Sequence, residues 1–184
     1  MRSEALERSL RAAVTDAALA ATRTGRPRWA ALRARVAPRD NLEIFDGAGE
    51  EERFYWERPE EGWSLAALGT AQVVEARGAG RFRAAARAAR EIFSAIHLAG
   101  EPGPRRSGAL LVGGFAFSET PSASPLWRGF PPCRFALPEL LFAREGDRMW
   151  CTAVRRIDPG ADGDREASAL LARMSEGSDA LHPA

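Results

Sequence analysis

The 184-residue sequence contains no lysine, so all 26 of its basic residues are arginine. A guanidinium stays protonated near neutrality, which excludes Schiff-base and lysine general-base chemistry. The same bias, together with abundant alanine, is what a coding sequence rich in G and C produces. Cysteine is scarce as well: Cys133 and Cys151 are too few for a disulfide framework and stand outside any C-x-x-C spacing. No stretch approaches the ~18 uninterrupted apolar residues of a membrane span, and the acidic residues near the start do not suit a signal peptide. The expectation is a cytoplasmic protein. A net charge of +1 gives no field that would draw nucleic acid or an anionic membrane.

Hydrophobic residues make up 45% and charged residues 28%, the composition of a folded globular chain. Residues 3–22 place Leu6, Leu10, Val14 and Ala17 at helical spacing, and Gly25 and Pro27 end that pattern. Residues 1–40 are therefore expected to be a helical segment, and the stretch after Pro38 a loop or short strand. The aromatic run RFYWERP and the following WSLAALGTAQVVEARG fit strands joined through PEEG. Residues 80–98 carry the clearest helical stripe, with Phe82, Ala85, Ile92, Phe93 and Ile96 inward and Arg83, Arg87, Arg90 and Glu91 on a solvated face. ALLVGGFAF suits a buried strand. CRFALPELLFARE and RMWCTAVRRI read as a hairpin turning near Gly146 and Asp147. REASALLARM predicts a last helix with Leu170, Leu171 and Met174 inward, before a disordered tail at 177–184. The order of elements predicts an α+β fold, a mostly antiparallel sheet with packed helices, over residues 41–176.

Chemistry-bearing residues form no recognisable constellation. His97 is expected at a helix C-terminus and His182 in the tail. Gly113 and Gly114 follow an apolar run, yet no phosphate-loop pattern surrounds them, and close packing is the better account. Ser107, Ser118, Ser122 and Ser124 lack a G-x-S-x-G elbow. Cys133 and Cys151 read as small hydrophobes. The acidic groups Glu50, Glu51, Glu52 and Asp158, Asp162, Asp164 lack the spacing of a calcium loop. Trp56, Trp63, Trp127 and Trp150 suggest a stacking surface, but their acidic flanks favour a core role. No catalytic, cofactor-binding or metal-binding residue is assigned.

Three strings carry a resemblance: F-Y-W-E-R-P from Phe54, G-G-F-A-F from Gly113, and L-W-x-G-F-P from Leu126 followed by L-P-E-L from Leu137. In this order and separation they resemble the N-terminal half of isochorismate synthases, in the chorismate-utilising family with anthranilate synthase component I and aminodeoxychorismate synthase. The resemblance runs from about Leu42 to Ile157. It implies a magnesium-dependent isomerisation of chorismate to isochorismate that feeds menaquinone or siderophore synthesis. It also implies that the lysine base, the glutamic acid and the magnesium ligands lie in a C-terminal chorismate-binding half beyond this chain. No position here inherits those roles, and no cofactor is expected on this chain alone. The implied role is architectural, within a larger sandwich. The chain is then an inactive N-terminal portion or, alternatively, a scaffold or partner protein that docks on a separately encoded chorismate-binding subunit. Either way it should expose apolar surface and self-associate.

Overall fold

The computed structural model describes residues 2–49, 52–118, 124–127 and 129–179. Helix α1 (Arg2–Thr24) buries Leu10, Val14, Ala17 and Ala21 along one stripe, and Gly25 at φ +64° ends it. Strand β1 (Arg28–Val36) follows at once. Helix α2 (Asn41–Gly47) is capped by Asp40, whose carboxylate accepts the Leu42 N–H at 2.8 Å. Two expectations are corrected here. Residues 28–36 are strand within the segment read as helical to residue 40, and residues 41–47 are helix rather than loop or strand.

Strands β2 (Arg53–Arg58) and β3 (Trp63–Leu68) form the expected hairpin, turned by a short 3-10 segment and by Gly62 at φ +61°. Strand β4 (Gln72–Glu75) is a separate element. Helix α3 (Arg81–Phe93) is shorter than its apolar pattern, because Ile96–Gly100 is strand β5, parallel to β1. Of the expected stripe, Ala85 and Ile92 are buried while Phe82 and Phe93 are exposed. Strand β6 (Val112–Phe115) is largely exposed, which corrects the expectation of a buried strand.

The run from Cys133 divides at Pro138: β7 (Cys133–Leu137) joins one sheet and β8 (Leu140–Glu145) the other. β8 and β9 (Arg148–Ile157) form the expected hairpin, with Gly146 at φ +60° in its turn. Helix α4 (Gly163–Asp179) buries Leu170 and Met174. The disordered tail expected from residue 177 is corrected over 177–179, which continue this helix; residues beyond 179 lie outside the described ones.

A six-stranded sheet runs β2-β3-β8-β9-β1-β5, antiparallel except for the β1–β5 pair. A three-stranded antiparallel sheet runs β4-β7-β6. The period of two sorts the large sheet into two faces. Leu32, Ala66, Leu140, Phe142, Met149 and Cys151 pack against α1, α2 and α4 in the main core. On the other face, Trp29, Ala31 and Val154 meet α3 and the Cys133 and Leu137 side of the small sheet. Trp63, Leu65, Ala67 and Leu141 meet Val112 and Leu110. The observed class is the expected α+β fold with mostly antiparallel sheets.

Candidate functional site: an open apolar cleft between two strand edges

Strands β2 and β6 each end a sheet, and among the described residues no strand pairs with their outer edges. Between them lies a cleft of about 340 Å³ lined by Phe54, Trp56, Leu65, Leu110, Val112 and Phe135. The lining follows from strand periodicity, since alternate residues of β2 turn Phe54, Trp56 and Arg58 to this side. Ring contacts continue the cleft into a surface strip. Phe135 lies 5.0 Å from Phe115, which lies 4.5 Å from Phe82, and at the other end Trp56 meets Trp63 edge-on at 5.7 Å. Beyond β6, Leu126, Trp127 and Phe130 are exposed, the last two in edge contact at 5.7 Å.

Charged groups frame one end. Glu61 accepts from Arg106 at 2.7 Å and pairs with Arg58 at 2.6 Å, while the Arg106 guanidinium stacks 4.8 Å over Trp63. The Arg106 hydrogen bond first, and the nearby arginine charges with it, hold the Glu61 carboxyl below the usual carboxylate range. Across the fold, Glu52 just before β2 takes a bidentate grip from Arg134 on β7, one arm at 2.9 Å, and accepts the Thr70 hydroxyl at 2.7 Å. That grip depresses the Glu52 pKa and ties the two sheets together near the cleft. In the sequence Glu52 is one of an acidic run, and its partner lies 82 residues away.

The other candidates fall apart in space. His97 sits in β5 opposite Ala30 rather than at a helix terminus. Ser107 is fully buried and donates to the Pro104 carbonyl at 2.8 Å, which makes it a turn residue. Ser124 accepts the Leu126 N–H at 3.4 Å, and Ser118 is exposed in the segment after β6. Gly113 has the expected close approach, since a Cβ there would stand 2.2 Å from the Arg134 carbonyl oxygen, whereas Gly114 has open space. Cys133 and Cys151 are buried free thiols. Burial pushes the Cys151 thiol up to about 12, and burial raises Cys133 too.

The loop acids are occupied structurally. Asp162 accepts the N–H groups of Asp164 and Arg165 at 3.0 and 3.1 Å, Asp164 pairs with Arg11 at 2.8 Å, and Asp158 with Arg156 at 3.0 Å. Trp150 and Trp63 are buried as expected, but Trp56 and Trp127 are 54% and 59% exposed, which corrects their core reading. Glu50, Glu51, Ser122 and His182 lie outside the described residues. Among the described residues no group of three or more His, Cys, Asp or Glu side chains could hold a metal ion, and no helix is long and apolar enough to cross a membrane.

No curated protein matches this chain. Among solved structures its fold is similar to MenF, the menaquinone-specific isochorismate synthase from Escherichia coli, with a TM-score of 0.52 at 13% identity. The match covers 94% of this chain and 35% of that enzyme, so this chain spans about a third of the solved protein's length. At that identity the likeness speaks to the fold alone. The family model described as chorismate binding enzyme matches residues 13–183. Since that match takes in the second half of the opening helix, both sheets and the last helix, the chain belongs to the chorismate-binding enzyme family.

Proposed function

We propose that this chain is the architectural, N-terminal portion of an isochorismate synthase-type enzyme, which converts chorismate to isochorismate only together with a chorismate-binding catalytic portion. The reaction exchanges a ring hydroxyl for one derived from water, so it needs a base that activates water and an acid that assists the departing hydroxyl. The observation that carries the reading is the family match over residues 13–183 on a fold that spans 35% of an isochorismate synthase. The magnesium ion that the resemblance implies is proposed to belong to the catalytic portion. The scaffold is proposed to work in the cytoplasm.

A second reading has its own support. A neighbouring cavity of about 340 Å³ is lined by Arg105, Arg106 and Arg144 together with Glu61 and Glu145, beside Trp63 and Trp150, and its arginines offer donors to the carboxylates of an unsaturated ring. One pair of measurements tests both readings. The purified chain with chorismate and magnesium should form no isochorismate by chromatography, and chorismate should leave its melting temperature unchanged. Turnover by the chain alone would refute the architectural reading. A rise in melting temperature would establish ligand binding on this chain and support the second reading.

A further inference from the structure

A cavity of about 580 Å³ opens where β1 begins, between β4 and the end of α3, and it shares no lining residue with the two cavities described above. Trp29 forms part of its wall. That side chain is 7% exposed, and its buried indole Nε1 has no hydrogen-bond partner in the protein. A buried donor without an acceptor is costly, and native structures keep few of them. The carbonyls nearest in the chain are taken: at the end of α3 those of Arg90 and Ile92 accept the N–H groups of Ser94 and Ala95, that of Glu91 accepts the Ser94 hydroxyl, and that of Ala95 accepts the main-chain N–H of Trp29 itself at 3.1 Å. Trp29 is also fixed in register between Arg156 on β9 and Ile96 on β5, so β1 cannot slide to find it a partner.

Five charged side chains line the cavity, and three of them are matched. Arg156 pairs with Asp158 at 3.0 Å, Glu75 with Arg134 at 3.8 Å and Glu91 with Arg87 at 3.7 Å. Arg26 and Arg28 pair with no acidic side chain among the described residues; Arg28 donates to the Pro27 carbonyl at 3.5 Å. Val74, Ala88 and Ile92 supply an apolar wall. The cavity thus combines an indole donor that lacks an acceptor, two unmatched guanidinium groups and an apolar surface, in a volume that suits a small molecule. We infer that it binds a small organic carboxylate, whose oxygens answer the Trp29 indole N–H and the charges of Arg26 and Arg28 while its apolar body lies against Val74, Ala88 and Ile92. Binding of this kind is independent of the proposed function.

The test uses the full chain with its indole nitrogens labelled for magnetic resonance, and benzoate as the probe. Each of the five tryptophans gives one indole N–H resonance, and that of Trp29 is the one lost in Trp29→Phe. Millimolar benzoate should move the Trp29 resonance saturably, and benzamide, which keeps the ring and lacks the charge, should bind about tenfold more weakly. Titration calorimetry keeps the test independent of the tryptophan variant. Arg28→Gln should weaken benzoate binding about tenfold, whereas Arg83→Gln, an equal loss of charge on the exposed side of α3 away from the cavity, should leave it unchanged. No saturable shift, or equal affinity in the two arginine variants, overturns the inference. So does inorganic phosphate binding as tightly as benzoate, since the site then holds an adventitious ion only, and so does a response confined to Trp63 or Trp150, which places the carboxylate in the neighbouring cavity instead.

Discussion

Glu52 shows how a single side chain acquires meaning only through its partner. Exposed and alone it would titrate as an ordinary carboxylate, but Arg134 and Thr70 bind its charged form and lower its pKa. Because the folded value lies below the unfolded one, the contribution to stability is present above the unfolded pKa and is lost as pH falls through the depressed folded value. Both side chains are more than a third exposed or nearly so, at 44% and 35%, and solvent screening limits the pair to about 1 kcal/mol or less. Between about pH 5 and pH 3 the native protein should therefore lose more stability than Glu52→Gln does. Urea midpoints at the two pH values measure this, and parallel losses would show that the pair contributes nothing. The buried thiol of Cys151, pushed up to about 12, belongs to the same scale: its apolar surroundings disfavour the thiolate, so it is a packing residue.

At the scale of elements, β6 depends on glycine. Gly113 has φ +144° and lies so near β7 that an added Cβ would meet the Arg134 carbonyl oxygen at 2.2 Å. Gly113→Ala should cost about 2 kcal/mol or more, through strain at positive φ and loss of the β6–β7 ladder. Gly114→Ala, with nothing within 4 Å of its Cβ, should be tolerated. Comparing the two melting temperatures separates backbone constraint from any general intolerance of β6. The elements also show which patterns survive the passage from sequence to fold. Helix α1 was legible because its apolar residues recur on one face, and the β8–β9 hairpin because Gly146 and Asp147 interrupt two apolar runs. Strand β1 was not. RWAALRARV is rich in good helix formers, and both faces of this inner strand are covered, so no polar and apolar alternation marks it. Likewise the apolar pattern of α3 ran on into β5, because Ile96 and Ala99 are inward in either conformation by pattern alone, and only pairing with β1 decides for strand.

For the molecule as a whole, exposed apolar side chains outweigh the near-neutral charge as a determinant of behaviour. The purified chain should bind a hydrophobic dye strongly and self-associate with rising concentration, because Trp56, Phe117, Leu126, Trp127 and Phe130 are exposed and the free β2 and β6 edges offer hydrogen-bonding groups. Dye fluorescence together with sedimentation checks this, and a monodisperse monomer that binds no dye would contradict it. The candidate site was legible only in fragments. The aromatic strings were visible in the sequence, but they suggested core residues because aromatic side chains are most often buried and because nothing local distinguishes a ring facing a core from one facing a cleft.

The sequence by itself determined the chemistry available to this protein: arginine as its only basic side chain other than histidine, two isolated thiols, no phosphate loop, and helices and hairpins whose local periodicity or turn residues suffice to define them. Those features depend on residue identity or on neighbours a few positions apart. Tertiary structure decided what depends on distant pairing, namely the conversion of the helix-prone 28–36 segment into an inner strand, the division of one apolar run between two sheets at Pro138, and the bond from Glu52 to Arg134. It alone also decided that the aromatic strings face outward, because which side of a strand is covered depends on what packs against the whole sheet and not on the strand.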